Sequence, residues 1–238
     1  SYEKTTLLKF SNHIIHSNEG CQQGDPLVPL LFCLAIHPLV VSCSSPLKMA
    51  FMDDVTLGGL AAVVASDVSM IKAEGAPRGL YLNDNKCESI TINGQPPDDA
   101  RLREFIQLTP ASATLLGAPL IRGPAMDKCL KQRCNDLEIA ISRLELITSH
   151  DALVLLRASF SACTMQHTLR SSPCSDHIEL IQFDSLLRSL TDNQWLQATL
   201  PVRAGGLGIR RVSSLAIPAF IASAVSTRIL QEQILHTD

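Results

Sequence analysis

An excess of charge of either sign is missing from this sequence. Its 20 Lys+Arg stand against 23 Asp+Glu, the formal net charge is −3 and the pI is near 6.1. Phosphate contacts need Lys and Arg, so any basic surface for nucleic acid has to be local. Also missing is an apolar run of the roughly 18 residues that a membrane helix needs. Pro26–Cys43 comes closest, but it holds Pro29, His37 and Pro38 and reads as a buried core helix, so no membrane partner is expected. No Met opens the chain, and Ser1-Tyr2-Glu3-Lys4 lacks the charged-then-apolar layout of a leader. The expectation is a fragment of a longer protein, or an open frame cut at its 5′ side, whose product stays inside the cell, in nucleus or cytoplasm, and is not secreted. None of the eight cysteines forms a C-x-x-C pair, which argues against a zinc ribbon. Without a secretion signal they read as reduced structural thiols. There is no H-E-x-x-H, no G-x-x-x-x-G-K-[ST] and no G-x-S-x-G, so a zincin, a P-loop and a hydrolase elbow are not indicated.

What is there is an ordinary globular composition, 46% hydrophobic and 18% charged. Residues 5–16 look like strand material. After a loop, Asp25 and Pro26 suit the start of a helix whose apolar positions are Leu27, Leu30, Leu31, Leu34 and Leu39. Pro38 should end or kink it. Leu47–Met52 and Val55–Leu57 read as two strands around Asp53-Asp54. An amphipathic helix over Leu60–Ile71 follows, closed by Gly75 and Pro77. Leu80–Leu82 and Ser89–Ile92 are short strand candidates, and Thr114–Leu120 is an extended run broken by Gly117 and Pro119. From Met126 the pattern turns helical, with further helices over Ala152–Leu169, Ser175–Leu190 and Ser213–Leu235. The shift near residue 122 suggests two domains, 1–121 mixed and 122–238 mostly helical, an α+β chain.

Asp53-Asp54 is the constellation with chemistry in it. Adjacent carboxylates repel unless something compensates. Mg²⁺ binds through one or two carboxylates and fills its shell with water and phosphate. Two such ions about 3.5–4 Å apart clamp both oxygens of a phosphoryl transfer. The plain alternative is a solvated turn, where Asp is common. Lys128, Lys131, Arg133, Arg143 and Arg157 could line a nucleic-acid groove, but Asp127, Asp136, Glu138 and Glu145 interleave with them, so a salt-bridged solvated face is equally compatible.

Five segments, in order, carry a resemblance. Gly20-Cys21-Gln22-Gln23-Gly24-Asp25-Pro26-Leu27-Val28-Pro29-Leu30-Leu31-Phe32 resembles the Q-G-D-P-L-x-P-x-L-F segment of reverse transcriptases from non-LTR (LINE-type) retrotransposons. Phe51-Met52-Asp53-Asp54 is similar to their aromatic-x-Asp-Asp box. Gly79-Leu80-Tyr81-Leu82-Asn83 with Lys86-Cys87-Glu88 is similar to their G-L-x-L-N-x-x-K-C-E, Leu115–Leu120 to their L-L-G-x-P-L, and Leu200-Pro201 with Gly205–Arg210 to their L-P-x-x-x-G-G-L-G-I-R. The resemblance implies a partial right-hand polymerase palm, a small antiparallel sheet with helices, over residues 1–121, followed by a mostly helical thumb and downstream connection.

The implied activity is RNA-directed DNA synthesis with Mg²⁺ (or Mn²⁺), and the implied partners are an RNA template, a DNA primer and deoxynucleotides. Asp53 would bind the catalytic metals with Asp54 in support. Gln23, Gly24 and Phe51 would lie near template base and nucleotide, and Lys86 would neutralise the leaving pyrophosphate; its alternative is a surface turn lysine. Two departures stand out. Phe51 occupies a position where Tyr is commoner, and Val28 replaces a small residue. A third is larger: the family's earlier palm strand carries another metal-binding Asp, whereas residues 1–19 contain Glu3 and Glu19 but no Asp. Residues 1–238 alone are therefore expected not to polymerise. The rival expectation is a non-catalytic, decayed transposon product that binds nucleic acid weakly at most.

Overall fold

The computed structural model describes residues 6–17, 24–190 and 195–235. They form an α+β chain in which every strand lies before residue 120 and only helices follow from Pro124. Two compact units divide it, Ser1–Asn83 and Asp84–Asp238.

The first unit opens on an antiparallel hairpin of β1 (Thr6–Phe10) and β2 (His13–Ser17), in the stretch expected to be extended. Helix α1 (Val28–Ser42) begins later than its sequence signals suggest. Leu27 is the cap residue and Pro29 takes the first turn, while the Asp25 carboxylate accepts a hydrogen bond from Leu27 N–H at 2.8 Å. Pro38 does not end the helix, which runs on to Ser42. Pro38 costs the bond to the Leu34 carbonyl, and both residues are exposed, so water can take over that group.

The expectation of a buried core helix is corrected. Ile36 and Leu39 are buried, yet Leu27, Leu30, Leu34 and Val41 are each more than half exposed. The helix is apolar all round, and its described neighbours within the unit are a strand, β3 (Leu47–Phe51), and a second helix, α2 (Ala61–Gly75), which cover one side.

β3 pairs antiparallel with β4 (Asp54–Gly58), from Leu47↔Gly58 to Phe51↔Asp54. Two glycines close the far end. A Cβ on Gly58 would sit 3.1 Å from the Leu47 side chain, and one on Gly59, at φ 154, would meet Pro46 at 2.7 Å. α2 ends at Gly75 and Pro77 lies in the 3₁₀ turn that follows, as the helix-stop signals suggest, and Gly79 then turns left-handed at φ 75. Leu80–Leu82 forms no strand. Leu80 N–H is taken by the Gly75 carbonyl, and no partner segment runs beside these residues among those described.

In the second unit β5 (Glu88–Ile90) pairs in parallel with β6 (Ile106–Leu108), on either side of a short helix α3 (Ala100–Arg103). Asp99 caps α3 and is gripped by Arg101, whose hydrogen bonds hold its carboxyl down to about 2. β7 (Thr114–Leu115) and β8 (Ala118–Pro119) form a minimal hairpin around Leu116 and Gly117, both at positive φ. The rest is helical: α4 (Pro124–Leu144), α5 (Ser149–Leu155), a π turn at Leu156–Phe160, α6 (Ala162–Ser171), α7 (Ile178–Ser189), α8 (Trp195–Thr199), α9 (Val212–Ser226) and α10 (Arg228–Leu235).

One core joins the helices from α4 to α9. Met126, Leu130, Cys134 and Leu137 of α4 meet Met165 and Leu169 of α6, Leu180, Phe183 and Leu187 of α7, Trp195 of α8 and Val212 of α9. Burial first, helped by nearby Glu179, pushes the Cys134 thiol up to about 12, which fits an inert structural cysteine. None of the described cysteines is in a disulfide.

The division between units falls earlier than the composition shift near 122. Residues 84–121 belong with the helices because polar ties bind them there. Ser172 Oγ donates to the Pro119 carbonyl at 2.7 Å, the His167 ring meets the Leu116 carbonyl at 3.1 Å, and Arg122 donates to the Pro173 and Ser175 carbonyls. No single described helix is long and apolar enough to cross a membrane; α9 and α10 pass that test only as a pair, bent by 55°.

Candidate functional site

The carboxylate pair stands on the tightest kind of strand connection. Because Phe51 and Asp54 are partners across the ladder, the turn consists of Met52 and Asp53 alone. Two-residue hairpin turns need a positive φ at their first central position, usually supplied by Gly, Asn or Asp. Here Met52 adopts it, at φ 55. A non-glycine residue held there stores on the order of 1–3 kcal/mol, a strain that gathers at ligand clamps and active sites. Asp53 follows in the turn and Asp54 opens β4, so consecutive carboxylates sit at one hairpin end, both exposed.

The base of the hairpin is pinned. Lys48 Nζ donates to the Val41 carbonyl at 3.1 Å and to the Cys43 carbonyl at 2.6 Å, which ties β3 to the end of α1. Asp67, buried on α2, accepts from Ser44 N–H at 2.9 Å, from Ser45 N–H at 2.7 Å and from the Ser45 hydroxyl. Burial pushes its carboxyl up, but those hydrogen bonds and the Lys48 charge outweigh burial and hold it below the usual carboxylate range. Neither residue stood out in the motifs. Asp67 had a signal all the same: it falls three after Val64 and four after Val63, on the apolar face of α2.

The remaining expected residues are spread out. Phe51 ends β3 with 63% of its surface exposed. Gly24 is exposed at φ 92, with nothing within 4 Å of a Cβ built on it. Gln23 lies outside the described residues. Lys86 is exposed at the end of a 3₁₀ turn, Asp84–Lys86, and belongs to the second unit.

Two exposed adjacent carboxylates fit a Mg²⁺ ion that takes one or two protein oxygens and completes its octahedron with water and phosphate. Among the described residues no three His, Cys, Asp or Glu side chains are grouped to hold a metal. Comparison with known family models, with curated proteins and with solved structures gives no match for this chain.

Proposed function

We propose that the β3–β4 hairpin is the metal-binding tip of a reverse-transcriptase palm of the non-LTR retrotransposon kind. In this reading residues 1–121 contribute to the palm, 122–238 form thumb and downstream connection, and the intact protein is an RNA-directed DNA polymerase working in nucleus or cytoplasm. The observation that carries the reading is the adjacent Asp53 and Asp54 at the end of a pinned, strained two-residue hairpin, in the sequence order the resemblance requires. Mg²⁺, or Mn²⁺ in its place, supplies charge neutralisation for the 3′-hydroxyl of the primer and for the pyrophosphate it displaces.

The chain's own residues do the holding. Asp53 provides the anchoring carboxylate and Asp54 the supporting one. Phe51, Gly24 and Gln23 shape the place of template base and incoming deoxynucleotide. By the resemblance alone, Lys86 is assigned to the charge that builds on the leaving oxygens. The test is primer extension on an RNA template with an annealed DNA primer, using a protein that includes the upstream palm strand. Asp53→Ala should abolish extension; normal extension by that variant overturns the assignment.

A second reading is a non-catalytic transposon product, since residues 1–19 contain Glu3 and Glu19 but no Asp. Extension by residues 1–238 alone, lost with Asp53→Ala, would reject it.

A further inference from the structure

In a chain of net charge −3, residues 193–231 contain no Asp and no Glu, while Arg203, Arg210, Arg211 and Arg228 all fall among them. In the second unit part of this stretch lines a shallow, open cleft of about 300 Å³ between the end of α8 and the start of α9, formed by Thr199, Arg210, Arg211, Ser214 and Leu215. We propose that this cleft binds a phosphate of a nucleic-acid backbone.

The donor inventory selects the ligand. Arg210 and Arg211 each carry five N–H donors and no acceptor. No described carboxylate pairs with either; Arg211 instead lies over the Trp195 ring at 5.5 Å, which fixes its position. Ser214 adds a hydroxyl, whereas Thr199 spends its proton on the Leu196 carbonyl at 3.0 Å. A cleft so lined suits a ligand that only accepts, and planar guanidinium forks match phosphate geometry.

The start of α9 contributes little to this. Asp184 of α7 already accepts from Val212 N–H at 2.7 Å, from Ser213 N–H at 3.2 Å and from the Ser213 hydroxyl, so that helix end is neutralised. A repeating anion is favoured over a single one because arginines continue beyond the cleft. Arg203 is exposed on the 3₁₀ turn Val202–Ala204, and the Arg157 guanidinium lies 3.4–3.6 Å from where a Cβ of Gly208 would be. Gly208 itself is held at φ 73, a left-handed conformation that favours glycine. This site stands apart from the Asp53–Asp54 reading and needs no metal.

The experiment is fluorescence anisotropy of the full 238-residue chain with a labelled single-stranded RNA, in EDTA, across a salt series. Arg210→Gln should weaken binding roughly five- to tenfold and reduce the salt slope by about 0.7. Arg101→Gln, the same charge change far along the sequence and paired with Asp99, should leave both unchanged. Equal losses in Arg210→Gln and Arg101→Gln would reduce the effect to net charge and overturn the proposal. So would RNA affinity that Arg210→Gln leaves intact, or an Arg210→Gln loss confined to vesicles containing phosphatidylserine. Arg211→Lys keeps the charge but not the fork; it should lose affinity while Trp195 fluorescence still reports a folded unit, and full retention would also count against a built phosphate site.

Discussion

Ser45 gives Asp67 two hydrogen bonds, one from its backbone N–H at 2.7 Å and one from its hydroxyl, and both partners are buried. That contact joins α2 to the segment that leads into β3, and so to the strand that carries Phe51 and the Asp53 turn. Asp67→Asn keeps the shape but places an NH₂ group against donors. It should cost on the order of 1–3 kcal/mol, the usual range for stranding buried donors. Trp195, the only tryptophan, sits in the second unit, so the expected signature is a lowered transition in far-UV circular dichroism with the Trp195 fluorescence transition unmoved.

The same carboxylate sets a pH dependence. Its folded value lies below the ordinary one, so its contribution is complete above the unfolded pKa of about 3.9 and is lost as pH falls through the lower folded value. Melting of the first unit should fall away below about pH 4, and Asp67→Asn should flatten that slope. An identical acid limb in wild type and variant would show that Asp67 is not its source.

Leu116 and Gly117 form a two-residue turn with φ of 49 and 78. Both values are positive, the type I′ pattern that Asn-Gly satisfies best. Leu116 is about half exposed and its side chain has little to lose, and the His167 contact is to its backbone carbonyl. Leu116→Asn should therefore raise the stability of the second unit by about 0.5–1 kcal/mol, read as a higher Trp195 fluorescence midpoint.

The helical core gives a sharper contrast. Phe183 is fully buried and Ile181, two positions earlier on the same helix, is 55% exposed. Phe183→Ala should cost about 3–5 kcal/mol and Ile181→Ala under about 0.5 kcal/mol. Chemical denaturation followed at Trp195 measures both.

Much of this architecture was legible because it rests on local signals. The hairpin around Asp53-Asp54 follows from two short apolar runs interrupted by polar residues, and α4 from the stripe through Leu130, Leu137 and Leu144. What escaped depends on partners distant in sequence. The place of residues 84–121 with the helices is decided by Ser172, His167 and Arg122 reaching backbone carbonyls, which no periodicity records. The parallel pairing of Glu88–Ile90 with Ile106–Leu108 is long-range in the same sense. The exposure of α1 was missed because a helix apolar on every side gives no face to choose, so mean hydropathy reads as burial whether or not neighbours cover it. In the candidate site, the turn residues were visible as a motif, but the Asp67 and Lys48 ties beneath them join residues 5 to 23 positions apart and span different elements.

The carboxylate pair makes the last prediction. Asp53 and Asp54 are exposed, and two oxygens from protein leave most of a divalent shell to water. The isolated chain should therefore bind Mn²⁺ weakly, with a Kd on the order of 1 mM, worth about 4 kcal/mol. Water-proton relaxation enhancement by Mn²⁺ measures it directly. Asp53→Asn and Asp54→Asn should each weaken the binding, and the double variant should remove it, whereas Arg210→Gln should not change it. Asp67→Asn should weaken it only under conditions where circular dichroism shows the first unit melting, because Asp67 acts on the hairpin's footing and never on the ion. Relaxation enhancement that survives in the double variant would place the bound Mn²⁺ elsewhere and remove the chemical basis for reading this hairpin as a polymerase tip.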